Sequence, residues 1–213
     1  MRLSKVDCAW CVGGTLSVVL TTLFSHEGAV PFLSALTGVW YVLLAGQGRR
    51  IAFLPGAINI VLYAYLSWMN AYYGEFLLQT LYYFPMNIAG WFLWKRHLKA
   101  DTGCIVKRRL PILWYGLLLI GLVGAVIAFG VFLQWMGGRR VWLDSVTTVV
   151  SIVAQALAVG RYAEQWILWI VVNAVSVILW FGAEESALVT SIMWGFYLCY
   201  ALAMAIRWHR ETA

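Results

Sequence analysis

Four groups of side chains in this sequence have the types and spacing to hold a small polar molecule. In QTLYYFPMNIAGWFLW, residues 79–94, a rotation of about 100° per residue puts Gln79, Tyr83, Asn87, Gly90 and Trp94 within roughly 80° of arc. In LDSVTTVVSIVAQ the same arithmetic aligns Asp144, Thr148, Ser151 and Gln155 within about 60°. In WILWIVVNAVSVILW it aligns Trp169, Asn173, Ser176 and Trp180, and the last apolar segment adds Thr190, Trp194 and Tyr197. Amides both donate and accept hydrogen bonds. Indole and phenol rings stack on flat molecules and attract a cationic ring by up to about 2 kcal/mol. Isolated polar side chains in such segments also join helices, at about 0.6 kcal/mol each. Their recurrence on four faces is explained more simply by a lined cavity. The candidate binding residues are Gln79, Tyr83, Asn87, Gln155, Trp169, Asn173, Trp194 and Tyr197.

The elements that must position them are set by the solvent. Of 213 residues, 63% are hydrophobic and 11% charged, far from a soluble balance. The chain reads as an all-α polytopic membrane protein with apolar segments near 9–24, 31–47, 51–70, 75–94, 110–134, 144–160, 165–182 and 187–206. They are longer than barrel strands and apolar on most faces, as helices in lipid must be. The first, CAWCVGGTLSVVLTTLF, has lengths compatible with a span, an interfacial helix or a signal peptide. The signal peptide is disfavoured because His26 and Glu27 follow without a small-residue cleavage site. Whether it crosses is left open.

Basic residues lie beside span ends: Arg49 and Arg50; Lys95, Arg96, Lys99, Lys107, Arg108 and Arg109; Arg207 and Arg210. By the positive-inside rule these regions are cytoplasmic, which puts the C-terminus inside. Glu27, Glu75, Glu184 and Glu185 would face outward, with Arg139 and Arg140 dissenting. Arg2 and Lys5 put the N-terminus inside if the first segment spans. The net charge of +6 is therefore a topology signal and not a nucleic-acid footprint.

Chemistry that needs clustered ionisable groups is not expected. Cys8 and Cys11 form a C-x-x-C pair, but Cys104 and Cys199 are scattered and His26, His97 and His209 sit in loops or at a terminus, so no metal or cofactor is expected. No Ser, His and Asp gather at one depth, so the chain does not read as an enzyme. Every Asp, Glu, Lys and Arg lies in a loop or near a span end, whereas ion pathways and proton relays use charges deep in spans. The expected substrate is neutral or cationic, flat and rich in hydrogen-bonding groups, and transport is expected to be uncoupled. At one edge, Arg161 and Glu164 are spaced to pair across a turn and gate an opening; the simpler alternative is a snorkelling arginine and a helix-start carboxylate.

The two halves share a pattern. Gly48-Arg49 ends one helix, Asn59 sits in the next and GEFLLQTLYYF opens the third; Gly160-Arg161, Asn173 and EESALVTSIMW recur at nearly constant offsets. The division expected is an N-terminal segment over 1–30, a three-helix unit over 31–95, a basic loop and linker span over 96–142, and a second three-helix unit with its tail over 143–213. Three plus one plus three gives a parallel repeat, and repeat interfaces are where secondary transporters place substrate.

The residues LDSVTTVVSIVAQALAVGRYAEQWILWIVVNAVSVILWF at 143–181, with Gln79, Asn87 and the Gly90-Trp91 pair of NIAGWFLW, resemble the PnuC transporters of nicotinamide riboside. The run from Arg161 to Trp169 is the most specific part, and the resemblance extends from about residue 31 to 207. It implies a homotrimer of SWEET-like protomers in the inner (plasma) membrane, working by facilitated diffusion. A cytoplasmic kinase would then trap the vitamin by phosphorylation. Within transport the alternative is thiamine or another aromatic vitamin; outside it, the alternative is a membrane scaffold or sensor whose polar faces only meet partner helices.

Overall fold

A computed structural model describes residues 5–25, 28–69, 76–135, 137, 141–181 and 187–212. The chain is helical wherever the sequence is apolar over a long run: α1 Lys5–Ser25, α2 Ala29–Gly46, α3 Phe53–Met69, α4 Phe84–Lys95, α5 Ile112–Trp135, α6 Val141–Val159, α7 Gln165–Phe181 and α8 Ala187–Glu211. A 3-10 turn, Arg50–Ala52, leads into α3, and a π-helical turn, Leu78–Tyr83, runs directly into α4. Every apolar segment expected from the sequence is a helix here, which makes this an all-α polytopic membrane protein. Among the described residues, five stretches are long and apolar enough to cross a membrane: Lys5–Phe24, Ala29–Gly46, Arg50–Met69, Ile112–Trp135 and Val141–Val159. The first includes the segment whose crossing the sequence left open. α8 continues past the expected limit of 206 and carries Arg207, Arg210 and Glu211. The expected topology markers Arg2, Glu27, Glu75, Arg139, Arg140, Glu184 and Glu185, with His26, lie outside the described residues.

Two compact units divide the chain, residues 1–106 with 159–161, and residues 107–158 with 162–213. In the first, the interior is built by α2, α3 and α4 around Val39, Leu43, Phe53 and Trp94. Phe53 stands edge-on to Trp94 with ring centroids 4.9 Å apart, and Tyr41 tilts against Phe53 at 6.3 Å. Gly90 admits this arrangement: a Cβ there would lie 2.3 Å from Phe53 Cε1 and 2.4 Å from Cζ. A short extended segment covers one end of the unit. The Ile105 amide donates to the Gly48 carbonyl (2.9 Å) and the Val106 amide to His97 (2.8 Å), burying Ile105. Arg50 lies 4.0 Å over the ring of Trp91.

In the second unit α5 is apolar on all faces, and Gly130 is its one buried position among those described. That is the pattern of a helix surrounded by hydrocarbon. Residues 107–110 are extended and alternate between two attachments, as side chains on an extended strand must. Lys107 and Arg109 reach the end of α8. Lys107 Nζ pairs with Glu211 at 2.5 Å and sits 4.6 Å over Trp208, while Arg109 donates to the His209 carbonyl (2.9 Å) and Thr212 Oγ1 (3.1 Å). Cations at a helix C-terminus also complement its dipole. Arg108 and Leu110 face the turn before α7. Arg108 lies 4.0 Å over Tyr162 and accepts the Ala163 amide at its carbonyl (3.0 Å), and the Leu110 amide donates to Glu164 Oε2 (3.2 Å).

The turns after α2 and α6 close in the same way, with Arg49 N–H donating to Leu44 (3.0 Å) and Tyr162 N–H to Leu157 (2.9 Å). Each carries a left-handed residue before the donor, the arrangement of a Schellman cap. The sequence aligns Gly48 with Gly160, but the left-handed positions are Gly48 (φ 72) and Arg161 (φ 66). A non-glycine residue there costs on the order of 1 kcal/mol. The buried Arg161 side chain is held by donating from Nη1 to the Val106 carbonyl (2.9 Å).

Two predictions follow from this packing. Gly90→Ala forces the Phe53 ring to move and should lower stability by about 1–3 kcal/mol, read as a lower Tm in detergent. Gly124→Ala, with nothing within 4 Å of its missing Cβ, should leave Tm unchanged or slightly raised. The second concerns Glu211: burial alone would raise its pKa, but hydrogen bonds and charge from Lys107 and Arg207 outweigh it and lower it from 4.5. A folded pKa below the unfolded one adds stability that is complete above the unfolded value and is lost as pH falls through the folded one. Tm of the wild type should therefore fall more steeply than that of Glu211→Gln below about pH 4.5; parallel curves would remove Glu211 from the account.

Candidate functional site

In the first unit the site begins with a broken hydrogen-bond ladder. Pro85 has no N–H and its ring crowds the carbonyl four residues before it. The chain accommodates this by widening: residues 78–83 form a π turn, and the Phe84 amide reaches back five residues to the Gln79 carbonyl. This corrects the uniform 100° rotation assumed from sequence, because the wider turn rotates Gln79 and Tyr83 relative to the residues that follow. Asn87, Gly90 and Trp94 are buried on one face of α4, whereas Gln79 and Tyr83 are only half-buried. Tyr83 meets Tyr82 edge-on at 5.4 Å.

Asn87 is 4% exposed and its side chain makes no hydrogen bond among the described residues. It lies across Gly56 of α3, where a Cβ would sit 2.6 Å from Asn87 Nδ2 and 2.7 Å from Tyr41 Cδ2. Tyr41 and Gly56 were not among the residues picked from sequence. Tyr41 is one of many aromatics in the chain and glycine carries no chemistry, so only the fold reveals that both adjoin the amide.

In the second unit Gln155 and Ser151 are buried on α6, together with Ser145, whose hydroxyl donates back to Val141. Thr148 Oγ1 lies 3.5 Å from Asp144 Oδ1 at the helix start. On α7, Asn173 and Ser176 are buried while Trp169 is half-buried. On α8, Trp194 and Tyr197 meet edge-on at 5.8 Å, and the Trp194 indole N–H is buried with no acceptor among the described residues. The side chains of Trp180 and Thr190 lie outside the described residues.

Asn59 and Asn173, matched by the internal pattern, provide a comparison. Asn59 Nδ2 donates to the Ser34 carbonyl (2.7 Å) and approaches its hydroxyl (3.3 Å), joining α3 to α2. Asn173 is 5% exposed and makes no such bond among the described residues. Removing a buried polar group from water without a partner costs about 1–3 kcal/mol, so Asn173 has hydrogen-bonding capacity that the described fold does not use.

Arg161 and Glu164 are both buried, and each has a partner other than the one expected. Arg161 donates to Val106, as above, and Glu164 accepts from the Leu110 amide at Oε2 and from the Tyr115 hydroxyl at Oε1, 2.5 Å away. The sequence signal for Tyr115 is absent because its partner is 49 residues distant.

Comparison with known proteins agrees over nearly the whole chain. The sequence pattern of a family described as nicotinamide mononucleotide transporter matches residues 28–210. A nicotinamide riboside transporter PnuC of Neisseria mucosa is 34% identical over 87% of this chain and 74% of its own length. The transporter of the same name from Haemophilus influenzae is 31% identical over 95% and 88%. A solved structure, the crystal structure of the vitamin B3 transporter PnuC, superimposes with a TM-score of 0.81 at 31% identity, covering 99% of this chain and 93% of that one. With the fold, the buried amides and these likenesses in agreement, the chain belongs to the nicotinamide mononucleotide transporter family.

Proposed function

We propose that this chain carries nicotinamide riboside across the membrane by facilitated diffusion, and that Gln79, Tyr83, Asn87, Gln155, Trp169, Asn173, Trp194 and Tyr197 bind it. The observation that carries the reading is Asn173: buried, without a hydrogen-bond partner among the described residues, while its counterpart Asn59 is spent on joining two helices. The riboside has a cationic pyridinium ring for indoles and phenols, and a carboxamide and hydroxyls for amides. The family description names the mononucleotide, and the relatives' names the riboside. The binding set favours the riboside, since a phosphate calls for Arg or Lys and none of the eight residues is cationic.

The same reading takes the two three-helix patterns as a 3+1+3 SWEET-like parallel repeat; the matching caps after α2 and α6 support it. It places the protein in the inner membrane with the C-terminus cytoplasmic, as a homotrimer beside a kinase that traps the product. Arg161 and Glu164 are read as gating residues, acting through Val106 and through Leu110 and Tyr115. One positive charge moving down 100 mV gains about 2.3 kcal/mol, about fiftyfold in equilibrium ratio, so no coupled ion is required.

Calorimetry and flux test this. Asn173→Ala should lower riboside affinity by about tenfold or more with little change in Tm, whereas Asn59→Ala should lower Tm by an equivalent of about 1 kcal/mol and leave affinity intact. The reverse pattern would make Asn173 a structural residue. In proteoliposomes the riboside should equilibrate in both directions without a proton or sodium gradient and follow an imposed potential, and the mononucleotide should be rejected. Accumulation driven by a pH or sodium gradient at zero potential would refute uniport, and tighter binding of thiamine than of the riboside would reassign the substrate.

A further inference from the structure

We infer that Gly56 and Tyr41 are positioning residues for substrate recognition by Asn87: Gly56 leaves open the slot in which the Asn87 amide lies, and the Tyr41 ring walls that slot. The inference rests on the reading of Asn87 as a substrate residue given above.

Three helices meet at this point. Tyr41 comes from α2, Gly56 from α3 and Asn87 from α4, all within the first unit. A glycine on a membrane helix ordinarily lets another backbone come close. Here the atoms nearest the missing Cβ belong to two side chains, Asn87 Nδ2 at 2.6 Å and Tyr41 Cδ2 at 2.7 Å. Real Cβ atoms do not sit that near their neighbours, so any side chain at 56 must displace the amide, the ring, or both. Asn87 is the smaller side chain and yields more readily than an aromatic ring that also tilts against Phe53. The amide that would be displaced belongs to a buried residue and has no hydrogen-bond partner among the described residues. Displacing it costs no protein–protein hydrogen bond there, so the loss falls on whatever the amide recognises. An aromatic wall beside a free amide suits a flat group with hydrogen-bonding edges, such as a carboxamide on a ring.

The test is calorimetry with nicotinamide riboside on the purified full-length protein, with Tm measured alongside. Gly56→Ala and Asn87→Ala should each weaken binding by about tenfold or more. The double variant should be no weaker than the worse single one, because both changes remove the same amide from its place. Tyr41→Ala should weaken binding like Gly56→Ala. Gly130→Ala, whose Cβ would meet Trp142 at 2.5 Å in the other unit, should lower Tm but retain affinity. Gly56→Ala binding within about twofold of wild type, losses that multiply in the double variant, or an affinity loss in Gly130→Ala as large as in Gly56→Ala would overturn the inference. If Asn87→Ala itself binds normally, the assignment of Asn87 fails first and the inference falls with it. A silent Gly56→Ala beside a defective Asn87→Ala removes the inference alone.

Discussion

A polar group inside hydrocarbon must find a partner, and the arrangement of this chain follows from how each one does. The backbone satisfies itself by forming helices. Hydroxyls turn back onto their own helix: Thr22 donates to Val18, Thr37 to Leu33, Thr80 to Phe76 and Ser145 to Val141. Asn59 cannot reach its own ladder so easily and bonds to the neighbouring helix at Ser34. Against that rule, Gln47 Oε1, Gln165 Nε2 and the indoles of Trp166 and Trp194 are buried atoms with no partner among the described residues, and Asn87 and Asn173 are buried residues whose amides make no hydrogen bond among them. Buried, incompletely satisfied polar groups are destabilising by themselves, and a polar ligand pairing with those in the proposed binding set would offset that cost.

Irregular backbone also adjoins residues of the proposed binding set. The π turn forced by Pro85 contains Gln79 and Tyr83 and ends four residues before Pro85's own helix presents Asn87. π turns recur at functional sites because they change which way a side chain faces without ending the helix. The left-handed Arg161 immediately precedes the turn that carries Glu164 and opens α7, the helix of Trp169 and Asn173. In both cases a local energetic cost aims side chains that a regular helix would direct elsewhere.

The positions of the helices were legible in the sequence because hydrocarbon imposes one requirement on every spanning residue, and apolar runs report it directly. The buried faces of α4 and α7 were legible for the same reason, through Asn87, Gly90 and Trp94 and through Asn173 and Ser176. The π turn was not. Pro85 signals a disturbance, but the amount of added rotation depends on which carbonyl the Phe84 amide reaches. The glycine-arginine match was out by one position, since a cap is defined by backbone torsion and not by residue type. Gly56 and Tyr41 were invisible because their importance comes from what α4 brings against them. Glu164's partners, Leu110 and Tyr115, join segments far apart in sequence, and its spacing to Arg161 suggested a pairing that neither side chain needs.

Where the cations are committed bears on what such a site can carry. Arg50 lies over Trp91, Arg108 over Tyr162, Lys107 is shared between Trp208 and Glu211, and Arg109 holds the end of α8. These contacts anchor the extended segment and the helix ends, outside the stripes of amides and aromatics. A site furnished with rings and amides stabilises a delocalised cation through its π faces and neutral hydrogen bonds, and offers a phosphate dianion nothing to offset its desolvation. On this reading discrimination between riboside and mononucleotide needs no repulsive residue. None of the eight proposed binding residues is cationic, so on the same reading the substrate's own charge is what the membrane potential would act on.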